Sequence, residues 1–472
     1  MNFFRKKMPA PESEYGLRKC LSAWDLTLMG IGAIIGTGIF VLTGIAAATQ
    51  AGPAVVISFV VAGTACAFAA LCYAELAASI GGCGSAYGYS YAAFGEVIAW
   101  IIGWDLILEY GVSVAAVANG WSGYFNNALT AIGIGLPEAL TKGPMAGGIC
   151  NLPAAGIILI LMLLLIAGVK QSARLNAGMV FVKLLTICVF IGVALFNVMP
   201  QYWSPFAPFG WFSYAEGGKT VGILAAASLV FFAYVGFDAV STAVEEAKDP
   251  KRDVPIGILA SLAFCTVIYI VVSGLLTGIV PYKALNVSSP VAHALHLIGI
   301  NWASALVATG VIAGLTTVML VLYYGLTRIM LAIAKDGLLP PFFAKVRKTT
   351  QTPVQNTVLC GVIMAVMAGF IPLGTLAELV NIGTLAAFVL VCAGVAVLRI
   401  KQPDLPRPFK MPYGIVLPVL GVLSCGALIL FLPLVTHFRF ILWLAAGMVI
   451  YFGYSMWHSA AGKAPAAKGR KK

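Results

Sequence analysis

A chain of 472 residues that is 61% hydrophobic and only 10% charged has too few polar groups to cover a water-exposed surface of that size. Its mean hydropathy of +0.97 excludes an ordinary soluble class, because apolar runs near the ~20 residues needed by a spanning helix recur along its length. The net charge of +12 lies in loops and tails between those runs, so membrane topology accounts for it and a nucleic-acid partner does not.

The N-terminal segment 1–23 has no apolar core or cleavage site of a removable signal, and reads as a cytoplasmic lead-in. Twelve apolar runs then predict spanning helices over 24–49, 53–80, 88–125, 153–170, 175–199, 217–246, 254–281, 301–334, 353–371, 373–398, 412–433 and 438–460. Barrel strands would be shorter and alternating, whereas a stretch such as "AAGIILILMLLLIAGV" is continuously apolar. The third, sixth and eighth runs exceed the bilayer thickness and require tilt or a break. The basic tail 461–472 reads as a solvated, membrane-facing end. The expected architecture is an all-α polytopic membrane protein with one transporter domain over 24–460.

Placing the N-terminus in the cytoplasm puts 23 of the 29 Lys and Arg residues on the inside and only Lys142, Lys219, Lys283 and Arg439 outside. That asymmetry predicts twelve spans with both termini cytoplasmic. The ten cysteines are scattered singly and read as buried free thiols, with no disulfide framework and no metal site. His293 and His296 read as a solvated helix face in an outside loop; their spacing alone does not establish a metal site.

Inside the first run, "GAIIGTGIFVLTG" (32–44) places four glycines and two threonines where leucines would make a better span. Close helix packing accounts for small residues in lipid. However, a second interruption lies in "FFAYVGFDAVSTAVEEAKDP" (231–250), where Gly236 and Asp238 break the sixth run. The second lies five spans after the first, so the interrupted helices run in opposite directions. Matched interruptions in corresponding spans point to an inverted-repeat transporter with its site at the breaks. A broken helix offers free N–H groups to a carboxylate and free carbonyls to an ammonium, which suits a zwitterionic amino acid. Glycine permits the backbone angles and removes the Cβ that would block approach.

Four ordered motifs carry a resemblance over essentially the whole chain: "GIGAIIGTGIFVLTG", "IGGCGSAYGYSYAAFGE" (80–96), "AVEEAKDPKRDVPIGI" (243–258) and "RIMLAIAKDGLLPPFFAKV" (328–346). They resemble the amino acid–polyamine–organocation transporters, and within these the bacterial members of the cationic amino acid transporter group. The resemblance implies a LeuT-like 5+5 inverted repeat over roughly 24–199 and 217–398, with helices 1 and 6 broken and helices 11 and 12 (412–460) added. It places Ile34, Ile35, Gly36, Thr37 and Gly38 around the substrate backbone. Phe232, a candidate aromatic lid, and Val235 fall at the second break with Gly236 and Asp238. Ser113 and Leu322 fall at positions like side-chain pocket walls, beside Val321. Packing is an equal account of Phe231 and Phe232, and a helix-capping role is favoured for Asp238.

Lys183, in "NAGMVFVKLLTICVF", lies about 10 Å inside the fifth run, counted at 1.5 Å per residue from Asn176. Snorkelling to the interface is the structural account; an intramembrane ionisable residue is by default a functional hypothesis. Its position resembles a helix-5 lysine of proton-coupled relatives. That resemblance implies charged contact with carbonyls near Gly32 and Ala33, released when the proton leaves. Asp105 and Glu109, four apart, share one face of the third span. Glu109 is one turn from Ser113 and is a candidate for proton handling or for a structural hydrogen bond. Glu75 and Glu378 read as structural.

The expected activity is secondary active transport of amino acids with protons by alternating access, in a bacterial inner membrane. Neutral, alanine-like substrates are favoured by the apolar walls, and no cofactor is expected. An exchanger and a cationic amino acid transporter are the alternatives of the same class. A membrane-embedded enzyme would require a cluster of catalytic side chains that the sequence does not offer. The expected partners are an amino acid, a proton and the lipid bilayer; a small membrane protein or a second copy is left open.

Overall fold

The computed structural model describes residues 21–80, 85–168, 173–214, 220–347 and 352–459. The expectations for residues 1–20, for Lys170, Lys219 and Lys348, and for the basic tail lie outside the described residues. The principal helices are α1 (Ala23–Ile34), α2 (Val55–Ile80), α3 (Glu96–Ala131), α4 (Leu152–Ile166), α5 (Ala173–Leu195), α6 (Ile223–Val230), α7 (Pro250–Ile279), α8 (Asn301–Lys335), α9 (Val354–Phe370), α10 (Leu373–Lys401), α11 (Val416–Leu430) and α12 (Leu434–Ile450). A short antiparallel pair, Ser213–Tyr214 with Thr220–Val221, precedes α6.

Eight helical stretches among the described residues are long and apolar enough to cross a membrane, and α1, α4, α9 and α11 are shorter apolar helices. Exposed Leu163 on α4, Leu423 on α11 and Leu442 on α12 turn apolar side chains outward, as a lipid-facing surface requires. Two boundaries differ from the sequence reading for local reasons. The third run divides because the Phe94 and Gly95 amides turn back onto the Ser90 carbonyl, with Gly95 at φ 97°; Ser85–Ala93 is therefore a separate short helix. The eleventh opens at Val416, after Tyr413 and Gly414 at φ 56° and 57°.

Three helices pack on the one five spans later: α2 lies on α7, α3 on α8 and α4 on α9. The two interrupted spans are tied at both ends. The Leu21 amide donates to the Glu246 carbonyl (2.9 Å) and the Lys248 amide to the Leu21 carbonyl (2.8 Å). At the other end the Gly222 amide donates to the Gln50 carbonyl (2.9 Å). The start of one span therefore meets the end of the other, and they run antiparallel.

Small residues permit this closeness. A Cβ on Gly30 would stand 2.6 Å from Ser261 Cβ, and one on Gly257 would stand 2.8 Å from Leu26 Cβ. These contacts seat α1 on α7 through backbone as much as through side chains.

Candidate functional site between two interrupted spans

Helix α1 ends at Ile34 because Ile35 adopts extended angles (φ −72°, ψ 103°). Helical winding resumes as a π-helical turn over Gly38–Leu42. In the sixth span, α6 tightens to a 3₁₀ turn over Phe231–Tyr234, Val235 is extended (φ −58°, ψ 130°), and Gly236 is left-handed (φ 118°) before a second 3₁₀ stretch, Phe237–Glu246. Only glycine takes the Gly236 angle without strain.

The breaks lie against each other in a crossed arrangement. A Cβ on Gly38 would stand 2.2 Å from Ala233 Cα, and a Cβ on Gly236 would stand 3.1 Å from the Ala33 backbone. Each break thus presses a glycine onto the backbone of the other. Gly36 differs: its nearest neighbours are the Val318 methyls, 3.8 and 3.9 Å from a Cβ built there. Backbone at Gly36 consequently faces side chains of α8 rather than another main chain. The amides of Gly36 and Thr37 donate to no backbone carbonyl among the described residues.

Carbonyls at and beside the breaks receive specific side-chain donors. Lys183 of α5, 2% exposed, donates from Nζ to the Gly32 carbonyl at 2.7 Å. Its stem lies along Gly314 of α8, where a Cβ would come within 2.9 Å of Lys183 Cγ. The ammonium is therefore aimed into the protein at the end of α1, not out to the interface. The Tyr269 hydroxyl of α7 stands 2.9 Å from the Ile34 carbonyl and 2.8 Å from the Ala233 carbonyl. It has one proton for two acceptors, one on each interrupted span. Asn381 of α10 donates to the Ser228 and Leu229 carbonyls at 2.7 and 3.0 Å. Tyr124 of α3 donates to the Phe40 carbonyl at 2.8 Å.

The sequence-derived residues divide into groups. Ile34, Ile35, Gly36, Thr37 and Gly38 lie in the first break, and Phe232, Val235, Gly236 and Asp238 in the second. Thr37 packs on Gly120 of α3, and its hydroxyl has no hydrogen-bond partner among the described residues. The Ser113 hydroxyl, two turns earlier on α3, is likewise buried without a partner. Leu322 is buried one turn beyond Val318 on α8. Phe231 packs its ring on Phe388, while Phe232 is buried without a ring partner among the described residues. Gly236, not Asp238, occupies the capping position of the second 3₁₀ stretch; the Asp238 carboxyl faces the Gly236 and Ala239 amides from within its first turn.

Glu109 is buried on α3 and faces Thr384 of α10, with Asp105 one turn away. One Asp105 carboxyl oxygen is buried without a partner, beside Gly383. Glu75 is buried and is met by Arg399 and Arg407. Glu378 accepts from the Thr436 hydroxyl at 2.9 Å. His296 is exposed and pairs with Asn301, and burial together with His296 holds the His293 imidazole below its usual pKa. Sequence reasoning missed Tyr269, Asn381, Tyr124 and Val318. The available signal was a buried hydroxyl or amide inside an apolar run, which must find a partner.

Two interrupted, antiparallel spans, their buried carbonyls met by side chains of neighbouring helices, lie inside an apolar helical bundle of membrane-spanning type. The family model for amino acid permeases matches residues 21–454, and the chain belongs to that family. It is 50% identical over 466 residues to the branched-chain amino acid permease BcaP of Bacillus subtilis, covering 97% of this chain and 98% of that one. It is 48% identical over 468 residues to the methylthioribose transporter of Bacillus subtilis, covering 98% and 100%. Identity to cationic amino acid transporter 4 of Homo sapiens is 39% over 405 residues, covering 84% of this chain and 62% of that protein. The chain is accordingly an integral membrane protein of the amino acid permeases.

Proposed function

We propose that the protein is a twelve-span, proton-coupled importer of neutral aliphatic amino acids, working by alternating access with both termini cytoplasmic. The single observation that carries the coupling is the buried Lys183 ammonium on the Gly32 carbonyl, one turn before the first break. In this reading the substrate carboxylate meets the amides of Gly36, Thr37 and Gly38, and its ammonium meets carbonyls of the sixth span. Loss of the Lys183 proton removes a charge-assisted bond from the end of α1 and frees that helix to move against α5. Glu109 serves as a second proton-handling group near Ser113.

The apolar side chains of Val318, Leu322, Phe232 and Val235 support a neutral substrate, as does the likeness to a branched-chain amino acid permease. A cationic side chain would require a carboxylate at its end, and Glu109 is the nearest such group along α3. The substrate crosses with its covalent bonds unchanged and only a proton moves on and off the protein, so in this reading the protein acts as a carrier and not as an enzyme.

Reconstituted proteoliposomes given labelled leucine, alanine or arginine, with and without an inward proton gradient, test the reading. The expected result is gradient-stimulated accumulation of leucine and alanine. Uptake that needs internal amino acid and ignores the gradient indicates an exchanger, and a preference for arginine indicates a cationic transporter.

A further inference from the structure

Away from the two breaks, the first turns of α7 and the loop that precedes α11 enclose a groove of about 470 Å³, within the ~300–1,000 Å³ range of small-molecule sites. Lys251 and Arg252 stand on one rim, Pro255, Ile256 and Leu259 form the wall below them, and Pro408 and Phe409 form the facing wall. The groove therefore passes from two cations to apolar side chains over about two helical turns. Ile256 is 41% exposed, so the apolar wall opens onto the outer surface of the helix bundle.

The facing wall is held rigidly. Arg407 donates to the carbonyls of Leu398, Gln402, Pro403 and Leu405, and its Nε stands 3.4 Å from Glu75. The Met411 amide donates to the same carboxylate at 3.0 Å. Phe409 lies between these two anchors, so its wall is present before any ligand arrives. On the opposite rim, Lys251 and Arg252 are exposed and make no ion pair among the described residues. The neighbouring Asp253 is turned to the Asp249 amide at 3.2 Å. The bridge between Leu21 and Ala247 sets this rim at the end of the molecule where α1 begins.

We propose that this groove binds one anionic glycerophospholipid, with its phosphate on Lys251 and Arg252 and an acyl chain along Ile256, Leu259 and Phe409. Two cations beside an apolar wall match a lipid that joins a phosphodiester to a hydrocarbon chain; a soluble anion would leave the wall unused. The opposite face of α7 carries Gly257 and Ser261, packed on Leu26 and Gly30 of α1. A bound lipid consequently braces the helix on which α1 rests.

The full chain in a mild non-ionic detergent, titrated with phosphatidylglycerol or phosphatidylcholine and read by native mass spectrometry, tests the site. Expected is one tight phosphatidylglycerol equivalent that phosphatidylcholine does not match and that millimolar inorganic phosphate does not displace. Lys251→Ala with Arg252→Ala is expected to weaken it about thirty-fold, from roughly one surface cation's attraction lost at each position. The exchange Lys251→Arg with Arg252→Lys retains it, Phe409→Ala weakens phosphatidylglycerol, and Lys345→Ala, outside the groove, leaves it unchanged. Equal binding of phosphatidylcholine, displacement by phosphate, or unchanged binding by the folded double variant each overturns the proposal. If the alanine pair does not fold, the Phe409→Ala comparison decides alone.

Discussion

At the first interruption the carbonyls of Gly32 and Ile34 are met by Lys183 and Tyr269, whereas at the second those of Ser228, Leu229 and Ala233 are met by Asn381 and Tyr269. Both breaks face the same requirement, since a carbonyl freed from its helix in a low-dielectric interior must find a donor. The donors differ in kind. An asparagine amide keeps its protons under all physiological conditions, while a lysine ammonium can release one. In the proton-coupled cycle proposed above, the sixth span is therefore supported permanently and the first conditionally. Tyr269, with one proton between the two, is the only described side chain here that bonds to both breaks.

The largest expected effect comes from closing the space between the breaks. Gly38→Val forces a side chain into the Ala233 backbone, and Gly236→Ala imposes ~1–3 kcal/mol of backbone strain beside Ala33. Neither variant is expected to transport, and Gly38→Val is expected to yield little monodisperse protein in size-exclusion chromatography. Normal uptake by both would contradict the crossed contact.

Next in size is the charge at the first break. Lys183→Met keeps the stem against Gly314 and removes the donor to Gly32. Gradient-driven accumulation is expected to fall roughly tenfold or more, the worth of a charge-assisted hydrogen bond, while counterflow exchange survives. Unchanged pH-dependent uptake would remove Lys183 from the mechanism. The neutral counterpart is Asn381→Ala, which removes the side-chain donor to the buried Ser228 and Leu229 carbonyls at about 1–3 kcal/mol. Its thermal unfolding midpoint in detergent is expected to drop with the pH profile of transport intact. A displaced pH profile in that variant would erase the distinction between the breaks. Smallest is Tyr269→Phe, a loss of about 1 kcal/mol that both breaks share. Its thermal midpoint is expected to fall less than that of Asn381→Ala.

Much of this architecture is legible from local composition. Apolar runs mark the helices because a bilayer imposes hydrophobicity on each segment separately. Gly36, Gly38 and Gly236 mark the interruptions because a residue without a Cβ is unusual at depth and its conformational freedom is a local property. Lys183 stands out for the same reason, being a charge where lipid disfavours one. By contrast, Tyr269, Asn381 and Tyr124 are ordinary polar residues within their helices, and nothing near them in sequence names a partner. Their acceptors lie 36 residues away or farther, on other elements. Val318 rather than Val321 meets Gly36 because the rotation of α8 is set by its packing on α3 and α5.

The sequence by itself determined the helical, membrane-embedded class, the positions where two spans leave helical geometry, and the presence of a charge at depth. Each follows from the cost of placing a given residue in hydrocarbon or in a regular helix, a cost paid residue by residue. The tertiary structure alone decided that the two breaks cross with glycine on backbone and that Asn381 and Tyr269 meet the main chain there; it narrowed the Lys183 contact, which the resemblance places near Gly32 and Ala33, to the Gly32 carbonyl. Those outcomes depend on which helices approach within hydrogen-bonding distance, and that is fixed by packing over the whole bundle.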